Sequence, residues 1–310
     1  MRITLVGDIH GSFRYLAVLL TQLQQSVGPI DMAFCVGDAE ALRNSNDLAG
    51  VVGKSRHGIG DFPLVMSGEI RLPFPVYSIA GNHDPLPAID KDFTGGLNWG
   101  PNFHYLGRAG VKQFGSLRVG WCSGVYDARI STSGSFRRTS ATTPEDRRYF
   151  TTSDVGKLMK GAKKGHIDLL LMHDWPHLPV ANRQKNSARN QSEPGPHRGS
   201  HQTQAWSDTK RLSLHRGQVE ARASRGNPIA QKVLEECRPS LATFGHNHHP
   251  WAGTVGRSQV VCLDRVSNGL PAVAAFEYDG DSFVDITPPH LDLPRYESIT
   301  SSSPSATLSL

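Results

Sequence analysis

Five apolar runs in this chain each end in a short loop that carries Asp, Asn or His. "RITLVGDIH" ends with Asp8 and His10, "DMAFCVGD" with Asp38, and "FPVYSIAGNHD" with Asn82, His83 and Asp84. "IDLLLMHD" ends with His173, and "LATFGHNHH" with His246 and His248. Short runs that are apolar throughout, not alternating, read as strands buried on both faces, the pattern of sheets covered by helices. In such α/β sheets the carboxyl ends of the strands collect on one edge, so residues far apart in sequence meet there. This feature binds the chain to an α/β class. It also predicts that these loops form a single site.

The remaining segments agree. "SFRYLAVLLTQLQQS" (12–26) places Leu16, Leu19, Leu20 and Leu23 on one helical face, with Ser12 at the N-cap. "GNPIAQKVLEECRP" (226–239) reads as a helix capped by Asn227, with Pro228 in its first turn. "SLRVGWCSG", "QVVCLD" and "PAVAAFEYDG" add strands. We expect one catalytic domain over 1–285, interrupted by a polar, basic insertion at 182–216, and a disordered tail over 286–310. Residues 181–225 hold nine Lys or Arg against three Asp or Glu, so this stretch accounts for the whole +5 of the chain. A solvated loop face and a role in holding a polyanion explain that charge equally well. No run is long and apolar enough to span a bilayer, and no signal-peptide pattern opens the sequence. Cys35, Cys122, Cys237 and Cys262 are far apart and form no CxxC motif. Free thiols in a reducing compartment are expected, which places the chain in the cytoplasm, or also the nucleus in a eukaryote.

The loop residues suit a particular chemistry. Asp, Asn and His supply the hard and borderline donors that divalent ions such as Mn, Fe or Zn accept. Two ions about 3.5–4 Å apart need one donor that touches both. A carboxylate has two oxygens for this and a neutral imidazole has one lone pair, so Asp38 is the natural bridge.

In this order, GDIHG, GD, GNHD, an isolated His after an apolar strand, and GHxH resemble the calcineurin-like metallophosphoesterases. The resemblance implies two mixed β-sheets packed as a sandwich and flanked by helices, with two divalent metal ions. One ion would take Asp8, His10, Asp38 and His248, and the other Asp38, Asn82, His173 and His246. Alternation along extended chain supports His246 and His248 as ligands and turns His249 away. His83 would serve as general acid or transition-state stabiliser, with Asp84 orienting its ring.

Further stretches are similar to the RNA lariat debranching enzymes: "GDAEALRNSNDL" (37–48), "PNFHYLGRAGV" (101–111), "LLLMHDWP" (169–176) and "NPIAQKVLEECRPSLATFGHNHH" (227–249). That likeness implies a metal-dependent phosphodiesterase acting on RNA, at the 2′,5′ bond of branched molecules. Asp8 stands where many of those enzymes carry Cys, GNHD replaces their GNHE, and 182–216 has no counterpart. The alternative substrate is a small phosphoester such as a nucleotide or dinucleotide. A non-catalytic binding module would show a lost ligand, and none is lost. "SFRRTSATTPEDRRYF" (135–150) and the basic stretch would line a polyanion track, with Phe136, Tyr149 or Trp206 stacking on bases.

Overall fold

The computed structural model describes residues 1–53, 58–92, 97–176 and 226–300. The insertion at 182–216, the whole basic stretch 181–225 and Trp206 lie outside them. Strands β1 (Arg2–Val6), β2 (Met32–Cys35), β3 (Val76–Ser78), β4 (Leu97–Gly100), β5 (Phe103–Tyr105), β12 (Val273–Tyr278) and β13 (Phe283–Asp285) form one sheet in the order β13-β12-β1-β2-β3-β5-β4. Strands β6 (Ala109–Phe114), β7 (Leu117–Cys122), β8 (Leu169–Met172), β9 (Leu241–Phe244), β10 (Trp251–Val255) and β11 (Ser258–Cys262) form the other, in the order β10-β11-β9-β8-β7-β6. The centre of each sheet is parallel, and the outer strands β4, β6, β10, β12 and β13 pair antiparallel.

The sheets pack face to face, as the two-sheet expectation requires, and the continuous apolar runs explain how. Leu169 and Leu171 of β8 join Ile3, Leu5 and Phe34 in the core between the sheets. Leu170 and Met172, one residue out of phase, point to the opposite face and pack with Leu158, Val233 and Leu234 of the helices Thr152–Ala162 and Pro228–Cys237. Strand periodicity thus feeds one run into two cores. On the outside of the first sheet, Leu16, Leu19, Leu20 and Leu23 of the helix Phe13–Val27 pack over Ala33, Cys35 and Val76. Burying each such leucine stabilises the fold by about 1.5–3 kcal/mol.

Two expectations need correction. The Ser12 side chain does not cap its helix; its hydroxyl instead bonds the Tyr296 hydroxyl at 2.9 Å. Tyr296 belongs to a stretch expected to be a disordered tail. Residues 286–300 instead pack on the core, with Leu291 and Ile299 buried and the Tyr296 ring edge-on to Tyr15. Their low apolar content hid this, because three well-placed side chains suffice to dock a short helix. By contrast, Asn227 caps its helix as expected, accepting from the amides of Ile229 and Ala230.

Register sets the site. Val6 pairs with Cys35 and Cys35 with Ser78, so β1, β2 and β3 end level. In the second sheet Leu171 pairs with Thr243, and the amide of Gly245 donates to the His173 carbonyl at 3.0 Å. The donor-bearing loops therefore leave both sheets at one edge.

Candidate metal centre

The loops turn sharply to aim their side chains. Among the described residues, seven non-glycine residues have positive φ, and five of them are His10, Asp38, Glu40, His246 and His248. Left-handed backbone costs an L-residue roughly 1–2 kcal/mol, and such strain persists where surrounding contacts over-determine it. Two glycines make room. A Cβ on Gly81 would collide with the Asp38 carboxylate, and one on Gly245 with the Asp8 carboxylate.

Two groups of candidate ligands result, each with its donor atoms within 4.8 Å of one another: Asp8, His10 and His248, and Asp38, His173 and His246. In the first, Asp8 Oδ2 lies 2.9 Å from His248 Nε2, and His10 Nε2 lies 3.0 Å from the same nitrogen. His10 Nδ1 is bonded to Glu40 Oε1 at 2.7 Å. A carboxylate accepts, so Nδ1 keeps its proton and Nε2 is the nitrogen turned to the group. Glu40 was not among the residues expected here. The only sign was a carboxylate two positions after Asp38, which is common in surface loops.

In the second group His173 is fully buried, and its Nδ1–H donates to the Val36 carbonyl at 2.8 Å. That leaves Nε2 facing Asp38 Oδ2 and Asn82 Oδ1, each at 3.2 Å. Three acceptor atoms converging in a buried space repel one another unless a cation sits among them, and a proton or a metal ion meets the need. The donor set therefore fits a divalent ion. Electrostatics agree. Burial opposes a charge on His173, yet the Asp38 and Asp8 carboxylates outweigh it and hold its pKa at about 10. Burial likewise opposes a charge on His10, while Glu40, Asp38 and Asp8 push it up to about 9. His246 moves the other way, lowered by burial and by the His173 charge. Burial raises Asp38, and the His173 charge and hydrogen bond, with His10, overcome this and leave it well below the usual carboxylate range.

The structure thus brings all seven expected ligands to one edge, with two corrections of detail. Asp38 groups with His173 and His246, and its Oδ1 accepts the His83 amide at 2.7 Å. The bridging role is therefore not visible as equal contact with both groups. Nor do His246 and His248 share a face by strand alternation. With φ of 65° and 51° they lie on a turn, and each serves a different group. His249 belongs to neither.

His83 and Asp84 are not a pair. The half-buried His83 ring stands edge-on to His10, with centroids 5.6 Å apart, and its Nδ1 has no hydrogen-bond partner among the described residues. Asp84 is buried and fully engaged elsewhere: Oδ1 accepts the Glu40 amide at 2.9 Å and the Tyr105 hydroxyl at 2.6 Å, and Oδ2 accepts the Gly81 amide at 2.7 Å. The expectation that Asp84 orients His83 is overturned. Asp84 ties the second and third loops together.

The loop 135–150 is also not an open basic track. Arg138 pairs with Asp154, Arg147 with Asp90, and Arg148 with Glu145. Tyr149 is buried in a small apolar cluster with Val125 and Ile130, and Phe136 packs against it. Neither ring is laid open for a base.

A family model described as calcineurin-like phosphoesterase matches residues 1–250. The chain belongs to the calcineurin-like phosphoesterase family. Among its relatives, the lariat debranching enzyme of Homo sapiens is 28% identical over 256 residues, covering 81% of this chain and 43% of that protein. The lariat debranching enzyme of Arabidopsis thaliana is 32% identical over 181 residues, covering 57% of this chain and 42% of its own length. That of Entamoeba histolytica is 26% identical over 270 residues, covering 85% and 68%. The chain therefore spans under half the length of the human and Arabidopsis relatives it matches. No helix among the described residues is long and apolar enough to cross a membrane.

Proposed function

We propose that this chain is a metal-dependent phosphodiesterase acting on RNA, with the 2′,5′ bond of branched RNA as its substrate. The observation that carries the reaction class is the pair of donor groups, each lined with Nε2 and carboxylate atoms that call for a cation. Similarity to debranching enzymes supports the choice of RNA and of the branch bond. Asp8, His10, Asp38 and His248 would hold one divalent ion, and Asp38, Asn82, His173 and His246 the other. Mn, Fe and Zn all suit this donor set. Ions bound there would neutralise the phosphate oxygens and lower the pKa of an attacking water.

The chain's own residues do the rest. His83, whose ring lies beside His10 and is held by no carboxylate among the described residues, donates a proton to the departing ribose oxygen. His173 and Asn82 are buried and lie 3.2 Å apart, Nε2 to Oδ1. Four free thiols fit a reducing compartment, and we assign the chain to the cytoplasm.

The test is turnover of a 2′,5′-linked dinucleotide beside its 3′,5′ isomer, with Mn²⁺ supplied. Preference for the 2′,5′ isomer is the expected result. Equal turnover of both isomers would remove the branch specificity. Turnover of free nucleotides alone would move the substrate to the small-phosphoester class.

A further inference from the structure

We propose that Glu40 is a positioning residue that holds His10 in the one tautomer and orientation able to serve the first donor group. This inference rests on reading the site as a metal centre. Glu40 is 4% exposed, and its Oε1 lies 2.7 Å from His10 Nδ1. A histidine ligand works through one nitrogen, and the bond made by the other fixes which nitrogen that is. With Nδ1–H given to Glu40, Nε2 is the nitrogen that faces His248 and Asp8 and is left to a metal ion.

The backbone argues that this contact is the reason for the residue. Glu40 has φ of 47°, a conformation in which glycine would be unstrained and an L-residue is not. A long acidic side chain is kept there at the cost of backbone strain and of burying a carboxylate. Its position is held from several sides. The Glu40 amide donates to Asp84 Oδ1 at 2.9 Å, and Asp84 is itself fixed by Tyr105 and by the Gly81 amide. The amides of Ile9 and His10 donate to the Asp38 carbonyl, and that of Gly11 donates to the Ala39 carbonyl, so the first and second loops are laced together beside the Glu40–His10 contact. A continuous network thus runs from Tyr105 on β5 through Asp84 and Glu40 to the Nε2 atom of His10.

The test compares Glu40→Ala with Glu40→Gln by metal content after dialysis and by calorimetric titration of the metal-stripped protein with Mn²⁺. Loss of such a supporting partner costs metal affinity about 10–100-fold. Glu40→Ala should weaken one of two sites by that factor and leave the other at wild-type affinity. Glu40→Gln keeps an acceptor oxygen for Nδ1–H and should retain most of the affinity. Wild-type affinity at both sites in Glu40→Ala would overturn the proposal, as would equal losses in the Ala and Gln variants. The wild-type protein provides a second reading that does not depend on a variant folding. In the Zn²⁺-loaded, ¹⁵N-histidine-labelled chain, His10 should show a protonated Nδ1 and a metal-shifted Nε2; the reverse assignment would overturn the proposal. A wild-type chain that bound no metal would remove the site reading and this inference with it. Two bound metals with an indifferent Glu40 would remove this inference alone.

Discussion

At the residue scale the site turns on what each side chain has left to offer after its structural bonds are made. Asp84 has nothing left, since both its oxygens are occupied by Glu40, Tyr105 and Gly81. His83 keeps an imidazole that no carboxylate among the described residues holds. Two different outcomes should follow. His83→Ala should leave metal content unchanged and slow cleavage of a bond with a ribose leaving group by roughly 10²–10⁴-fold, the usual worth of a positioned acid. A nitrophenyl ester should lose far less, because nitrophenolate departs without a proton. Asp84→Asn should act on stability: an amide nitrogen now faces a donor in a buried place, at about 1–3 kcal/mol, read by urea unfolding. The ratio of rates on the two substrates should stay at its wild-type value. A selective loss on the ribose substrate in Asp84→Asn would show that Asp84 works through His83 after all. Adjacency in sequence suggested the pair. Neighbours on a turn point to different sides, and only the packed loops show which partners each one meets.

At the scale of elements, the helix Leu86–Asp92 follows the third loop directly and must be held still for that loop to keep its shape. Asp90 does this, accepting Arg108 at 2.6 and 2.7 Å and Arg147 at 2.6 Å. Burial raises the Asp90 pKa, and the bond and charge of Arg108, the bond of Arg147 and the charge of Arg138 overcome this and lower it. Removing the carboxylate leaves two guanidinium groups largely buried without an anion. Asp90→Ala should therefore destabilise the fold by about 3–5 kcal/mol, measured by denaturant unfolding. Because the folded pKa is depressed, the pair's contribution is present above the ordinary carboxylate pKa and is lost as pH falls below it through the folded value. The wild-type protein should lose stability on acidification below about pH 4, and Asp90→Ala should lose less over the same range. The elements that escaped sequence reading, β4, β5, β6, β10 and β13, are short or lie at sheet edges. β6, for example, exposes Lys112 and Gln113. Half-solvated edge strands carry no continuous apolar run, so the pattern that marks the central strands is missing from them.

At the scale of the whole molecule, one edge of a two-sheet sandwich concentrates buried carboxylates that only cations can balance. In metal-stripped protein the raised pKa values of His10, about 9, and His173, about 10, mean that protons do the balancing at neutral pH. A metal ion must displace them. Loading at pH 7.5 should release about two protons per chain, from those same two residues. Titration calorimetry in buffers of different ionisation enthalpy reads this number directly, and release of none would contradict the charge balance. The sign for stability follows. A histidine whose folded pKa is raised stabilises fully below its unfolded value near 6.5, and that stabilisation is lost as pH rises through 9 to 10. Metal-stripped protein should melt at a lower temperature at pH 9.5 than at pH 6, and metal loading should remove most of that difference.

The amino-acid sequence by itself determined the α/β class, the central strands and which Asp, Asn and His residues close those strands. Strand burial and donor chemistry are local properties, written in apolar runs and in the residues that close them. Tertiary structure alone decided how the donors divide between two groups, because that depends on loop turns at positive φ and not on strand phase. It decided that Glu40 supports His10 while Asp84 does not support His83, and that Arg138 and Arg147 face inward to Asp154 and Asp90. It also decided that residues 286–300 close over the first helix. Each of these is a contact between segments far apart in the chain, and a side chain with several possible partners takes the one that packing brings within reach.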